Sequence, residues 1–89
     1  MLTATLVERA ALRYTPAGLP ALDFSLRHES QVSQDGQPRK VSVEIRARAI
    51  GQIVQQVSAL ELGSEHGFAG FVASQRNGRG VVFHVTELD

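Results

Sequence analysis

The cations of this chain come in clusters. Arg39, Lys40, Arg46 and Arg48, set against Glu44, leave a local net charge of +3 over ten residues. Arg76 and Arg79 sit in a second short stretch, and Arg13 stands beside Tyr14, the only tyrosine. Clustered cations with a flat ring nearby fit one chemistry above others. A single strand of nucleic acid is held by cations that track its phosphates and by flat groups on which its bases stack. Arg13, Tyr14, Arg39, Lys40, Arg46, Arg48, Arg76 and Arg79 are therefore the candidate contacts. The competing reading of any one arginine is an ordinary solvated surface charge; the set on one face favours binding. The chain is neutral overall, with 9 basic and 9 acidic residues, which counts against a strongly basic nucleic-acid binder. The acids lie apart, however, at Glu61, Glu65, Glu87 and Asp89, so one face can still be basic.

Other chemistries find little support. His28, His66 and His84 fall on three different expected strands without ligand spacing, so no metal is expected. With no cysteine, neither a disulfide nor a thiolate site can form. Gly78-Arg79-Gly80 is too short to cradle a phosphate and opens no helix. No cofactor is expected. Nothing points to an activated nucleophile, so the chain reads as a binding protein and not an enzyme. It shows no signal peptide and no apolar run of membrane-spanning length, which fits a cytoplasmic protein with no membrane partner.

The elements that must position these residues follow from periodicity. Leu2, Ala4 and Leu6 alternate with Thr3, Thr5 and Val7, a half-buried strand. The pattern breaks at Glu8-Arg9-Ala10-Ala11 and resumes at Leu12-Arg13-Tyr14, which reads as one long bent strand. Thr15-Pro16-Ala17-Gly18 is a hairpin turn: Pro16 presets φ and Gly18 closes it. Leu12 reads as core. Leu22, Phe24 and Leu26 mark a second strand. Residues 30–38 are polar and contain the turn signal Asp35-Gly36 and Pro38, so they read as a flexible hairpin loop in which Pro38 bars pairing. Val41, Val43, Ile45, Ala47 and Ala49 then alternate with Ser42, Glu44, Arg46 and Arg48. That gives a third strand with an apolar face and a face bearing two arginines.

After this the period changes. Ile50, Ile53, Val54, Val57 and Leu60 form the stripe of a helix of about three turns, stopped by Gly63. A fourth strand over 65–74 places His66, Phe68 and Val72 on one side and Phe71 on the other, with Gly70 relieving a tight bend. Asn77-Gly78 marks a hairpin turn. Val81, Phe83 and Val85 form the fifth strand. Phe24, Phe68 and Phe83 read as packing residues; Phe71, with Tyr14 one of the two remaining stacking candidates, reads as a dimer or core contact rather than a stacking platform. Three strands, one helix and two strands, closed as a Greek key, make an all-β five-stranded OB-fold barrel with one short helix between strands three and four. Residues 1–89 read as a single domain.

The run from Leu12 to Gly18, followed by Phe24-Ser25-Leu26, resembles the first hairpin of bacterial single-stranded-DNA-binding proteins. Gly63-Ser64 leading to Gly70 resembles their fourth strand. His28-Glu29-Ser30 and the ending near Asp89 resemble the shorter primosomal replication protein N (PriB) family, because the glycine-rich linker and acidic tail of the longer proteins are missing. The resemblance implies a homodimer of OB domains that binds single-stranded DNA and assists the primosomal helicase and other replication-restart proteins. Its aromatic position on the third strand is occupied here by Ser42. Each lost stacked base forfeits about 1–3 kcal/mol, so weak binding dominated by phosphate contacts is expected. Thr3, Thr5 and Val7, outward on the first strand, are the candidate dimer interface. The alternative is an OB-fold adapter that contacts replication proteins and binds DNA only incidentally.

Overall fold

Period-2 alternation builds strands along most of the chain, and the computed structural model shows how they close; it describes residues 1–75, 78 and 80–89. β1 (Leu2–Arg9) and β2 (Arg13–Tyr14) both run antiparallel to β3 (Pro20–Gln34). The expected single bent strand is thus two pieces on one partner. Residues 10–12 bulge between them, and Ala10 N–H donates to Asp23 O at 2.9 Å. The bulge carries Leu12 outward, 51% exposed, so it is not core. The turn at 15–18 forms as expected. Gly18 N–H donates to Thr15 O, and Gly18 lies at φ +84°, where a Cβ would be strained.

β3 continues into β4 (Gln37–Ile50) as a long hairpin. The expected hairpin turns at Asp35-Gly36, but its flexible loop at 30–38 is instead ladder, paired as far as Gln34↔Gln37. Asp35 and Gly36 both take positive φ, 52° and 74°, the backbone of a type I′ turn. Pro38 pairs opposite Ser33 and does not bar the ladder. The pair that closes a two-residue turn exchanges both hydrogen bonds, so the next pair needs no donor from the proline. This arm extends past the barrel. On it the expected apolar face is open: Val41 and Val43 are 39% and 46% exposed, whereas Ala47 and Ala49 are buried.

α1 (Ile53–Ser58) has six residues, fewer than two turns, not the expected three. Ile50 ends β4 and Leu60 follows the helix. The β-branched Ile53, Val54 and Val57 are weak helix formers, so packing holds α1: Val54 and Val57 are buried in the barrel. Arg9 steadies its end, donating from Nη1 to Leu60 O at 2.7 Å, where the helix dipole favours a cation.

β5 (Glu65–Ser74) and β6 (Val81–Leu88) complete the sheet. The order β1-β5-β6-β4-β3 closes through β1–β3, with β2 as an extension, and β4–β6 is the parallel pair. This is the five-stranded OB barrel. Leu6, Leu22, Leu26, Val57 and Phe68 are sealed inside it, each worth about 1.5–3 kcal/mol of burial. Phe24 and Phe83 join them as expected. Val72 does not: it is 63% exposed although its partner Phe83 is buried, because β5 has left β1 by Phe68 and pairs with β6 alone at Val72. Val81, paired opposite Ser74 at the same end, is exposed too.

Candidate nucleic-acid interface

In a sheet, residues directly opposite one another project from the same face. β4 buries Ala47 and Ala49, so Arg46 and Arg48 point outward. Register carries two rows across this outer face. One row holds Glu8, Ser25 and Arg46; the other holds Asp23, Arg48, His84 and Phe71. Between them lies a groove of about 290 Å³ lined by Glu8, Asp23, Ser25, Arg46, Arg48 and Gln75, among others.

Asp23 organises the cations. Its carboxylate accepts from Arg48 Nε at 2.7 Å and from Arg13 Nε and Nη2 at 3.2–3.4 Å. Partial burial pushes the Asp23 carboxyl up, but hydrogen bonds and charge from Arg48 and then Arg13 outweigh that, leaving it below the ordinary aspartate value. Arg46 forms no ion pair with any described residue. The arrangement is therefore one free guanidinium beside two that a single carboxylate holds in place. Arg13, Arg46 and Arg48 are brought together, and Tyr14, 66% exposed, stands next to Arg13.

The remaining candidates are placed differently. Lys40 lies on the arm and pairs with Glu29 at 3.2 Å. Arg39 has the opposite parity to Arg46 and so projects from the other face of β4. Seven residues of strand, roughly 24 Å, separate it from Arg46. Arg76 and Arg79, and Asn77 of the expected turn, lie outside the described residues. Thr3 is exposed, and Thr5 and Val7 are half-buried, all three alternating with buried Ala4 and Leu6. His28, His66 and His84 lie on β3, β5 and β6, and no group of metal ligands occurs among the described residues.

Sequence reasoning missed Asp23. It reads as one polar residue of an alternating strand, and only the register of β3 against β4 sets it opposite Arg48. For Phe71 the core half of the expectation fails. It is not a core contact: it is 56% exposed and stacks on His84, with ring centroids 4.9 Å apart and planes 6° from parallel.

The model of a family described as another single-strand binding protein family matches residues 1–87. Replication restart protein PriB of Bordetella pertussis is 44% identical over 75 residues, spanning 84% of this chain and 70% of that protein. The chain belongs to the PriB family of single-strand binding proteins. Among solved structures, PriB from Ralstonia solanacearum superimposes with a TM-score of 0.84 at 34% identity, covering 99% of this chain and 90% of that one. The single-stranded DNA binding protein from Thermus aquaticus gives 0.77 at 28% identity, over 98% of this chain and 46% of that one. The outer face of β3 and β4, flanked by the turn at 15–18 and the β5–β6 connection, is the surface on which OB folds bind oligonucleotides. Arg13, Arg46 and Arg48 occupy that surface in this PriB-family chain. No helix among the described residues is long and apolar enough to cross a membrane.

Proposed function

We propose that this chain is a non-catalytic accessory protein of replication restart that binds single-stranded DNA on the outer face of β3 and β4. The observation that carries the reading is the convergence of Arg13, Arg46 and Arg48 on that one face. Arg46 is the leading phosphate contact, with Arg48 and Arg13 held beside it by Asp23. Lys40 shares the face of Arg46 and extends the cationic track along the arm, where Glu29 pairs with it; Arg39, on the other face, stands outside that track, and Arg76 and Arg79 continue it by sequence position. Affinity is modest and falls steeply with salt, since each phosphate contact on a single strand adds about −0.7 to the slope of log K against log salt.

The test is titration of a labelled thymidine oligonucleotide at low and moderate salt. Arg46→Ala/Arg48→Ala is expected to weaken binding about tenfold at low salt and to flatten the salt slope by about one. Wild type that binds nothing even at low salt would end the DNA reading, and a double variant that binds like wild type would end the placement. A second reading has its own observation: Arg13, Arg48 and Lys40 are all engaged by carboxylates. That favours an adapter that contacts the restart helicase and other replication proteins and binds DNA incidentally; the same titration separates the two.

The chain further reads as a homodimer paired through β1 at Thr3, Thr5 and Val7. The ladder from β1 to β3 begins at Thr5, so Leu2–Ala4, Thr3 among them, have a β-sheet neighbour on one side only, in β5, while Thr5 is paired on both sides and would meet a partner through its side chain. A domain of this size is marginal alone, and the open face of Val41 and Val43 adds apolar surface to cover. Light scattering at micromolar concentration is expected to return twice the monomer mass; the monomer mass would refute the dimer.

A further inference from the structure

The outer face contains a flat aromatic surface that the cations do not explain. Phe71 and His84 face each other across β5 and β6 and stack within 6° of parallel. His84 is paired in register with Arg48, and Arg48 with Asp23. The row therefore runs from carboxylate to guanidinium to imidazole to phenyl ring. On its far side the row is open. β5 is paired with β1 only over residues 65–68, so beyond Phe68 no strand of the described residues flanks it there. Phe71 is consequently 56% exposed although its ring is held by the one beside it. An exposed phenylalanine on a strand costs apolar hydration; one fixed in a stack beside an arginine-bearing face presents a ready plane.

We propose that Phe71, backed by His84, is a base-stacking platform for single-stranded DNA. A nucleobase stacks on the open side of Phe71, in line with the existing pair, and the backbone attached to it runs toward Arg48 and Arg46. The occupant is a base and not a protein side chain because the plane is in register with Arg48, with β6 between them, and the neighbouring row offers Arg46 for a phosphate. Protein docking would use the apolar residues of this ribbon, Val72 and Val81, which belong to the face that carries Phe83. The platform supplies the stacking that Ser42 lacks, from the opposite part of the sheet. It rests on the DNA-binding reading and adds the place where the bases go.

The test compares a thymidine oligonucleotide with an abasic one of equal length, which keeps the phosphates and removes the bases. Phe71→Ala and Phe71→Leu are expected to weaken binding of the thymidine strand about tenfold, leaving the abasic strand and the salt slope unchanged. Phe71→Leu keeps the apolar bulk on the strand, and circular dichroism melts check that both variants fold. Phe71→Trp is expected to bind at least as tightly as wild type. As the chain has no tryptophan, its fluorescence is a single-site probe and is quenched when a base stacks. Equal loss on both oligonucleotides, no loss on either, or unquenched Phe71→Trp fluorescence in the bound state would overturn the platform while leaving DNA binding intact. Wild type that binds neither oligonucleotide overturns both readings. Normal DNA binding by Phe71→Ala with loss of a protein partner reassigns the surface to protein docking.

Discussion

Alanine at position 70 is expected to destabilise the barrel by about 3 kcal/mol, the upper end of ordinary overpacking penalties. A Cβ built on Gly70 would lie 1.8 Å from the carbonyl oxygen of His84 and 3.0 Å from Val85 Cα. Those are backbone atoms of the paired strand and cannot turn aside. The close approach coincides with a register shift between Ala69 and Gly70, where β6 inserts Thr86 and bends. A chain of this length has on the order of 5–13 kcal/mol of stability, so the substitution removes a large fraction of it. The melting temperature should fall by roughly 12–24 °C. Gly67→Ala is the matched control in the same strand. Its Cβ would meet Met1 Sδ at 2.7 Å, the far end of a flexible side chain, together with Asp89 Cβ at 3.2 Å. It should cost under about 1 kcal/mol, near the small end of surface substitutions. Thermal melts of the two variants that coincide would show that the strands do not approach as closely as this at Gly70. The bend also sets the position of Phe71, so a folded Gly70 variant should lose base-dependent DNA binding as well.

Asp23→Asn is expected to bind single-stranded DNA more tightly, by roughly fiftyfold at 50 mM salt, with a salt slope steeper by about 1.4. The substitution removes the charge that holds Arg48 at 2.7 Å and Arg13 at 3.2 Å. Two guanidiniums then become available to phosphates, each worth about −0.7 in slope on a single strand. Stability should change far less. The side chains of both pairs are 32–47% exposed, and solvent screening leaves such pairs about 0.5 kcal/mol each. The opposing sizes are the point of the experiment. A purely structural ion-pair network would give a small loss of stability and no gain in affinity, and that outcome would remove Arg13 and Arg48 from the interface. The pH dependence follows from the lowered folded-state pKa of Asp23. The contribution of these pairs is complete above the unfolded aspartate value of about 3.9 and is lost as the pH falls through the lower folded value. Denaturant midpoints should therefore show less acid-range dependence in Asp23→Asn than in wild type.

Much of the barrel was legible because its signals are local. Period-2 runs broken at Pro16 and Gly18, and a three-and-four spacing stopped by Gly63, set the strand-rich order around one helix. Phe24, Phe68 and Phe83 announced themselves as core because each sits in phase with apolar neighbours. Arg46 and Arg48 were readable as outward for the same reason, being out of phase with Ala47 and Ala49. At 30–38 the hairpin turn was legible from Asp35-Gly36, but the paired arm around it was not. A ladder that buries neither face leaves no hydrophobic alternation to read, so its polar residues look like a loop.

What the sequence by itself determined was therefore the class of fold, the strand phases and the types of residue on each face, since these depend on neighbours a few positions apart. Tertiary structure alone decided which charges meet and which rings are bare. Arg9 caps a helix 51 residues away, and Asp23 meets Arg48 only through the β3–β4 register. Phe71 lies open because β5 parts from β1 at Phe68. Each of these outcomes turns on where strands distant in sequence begin and stop pairing, a sum of many small contacts that no single stretch of chain encodes.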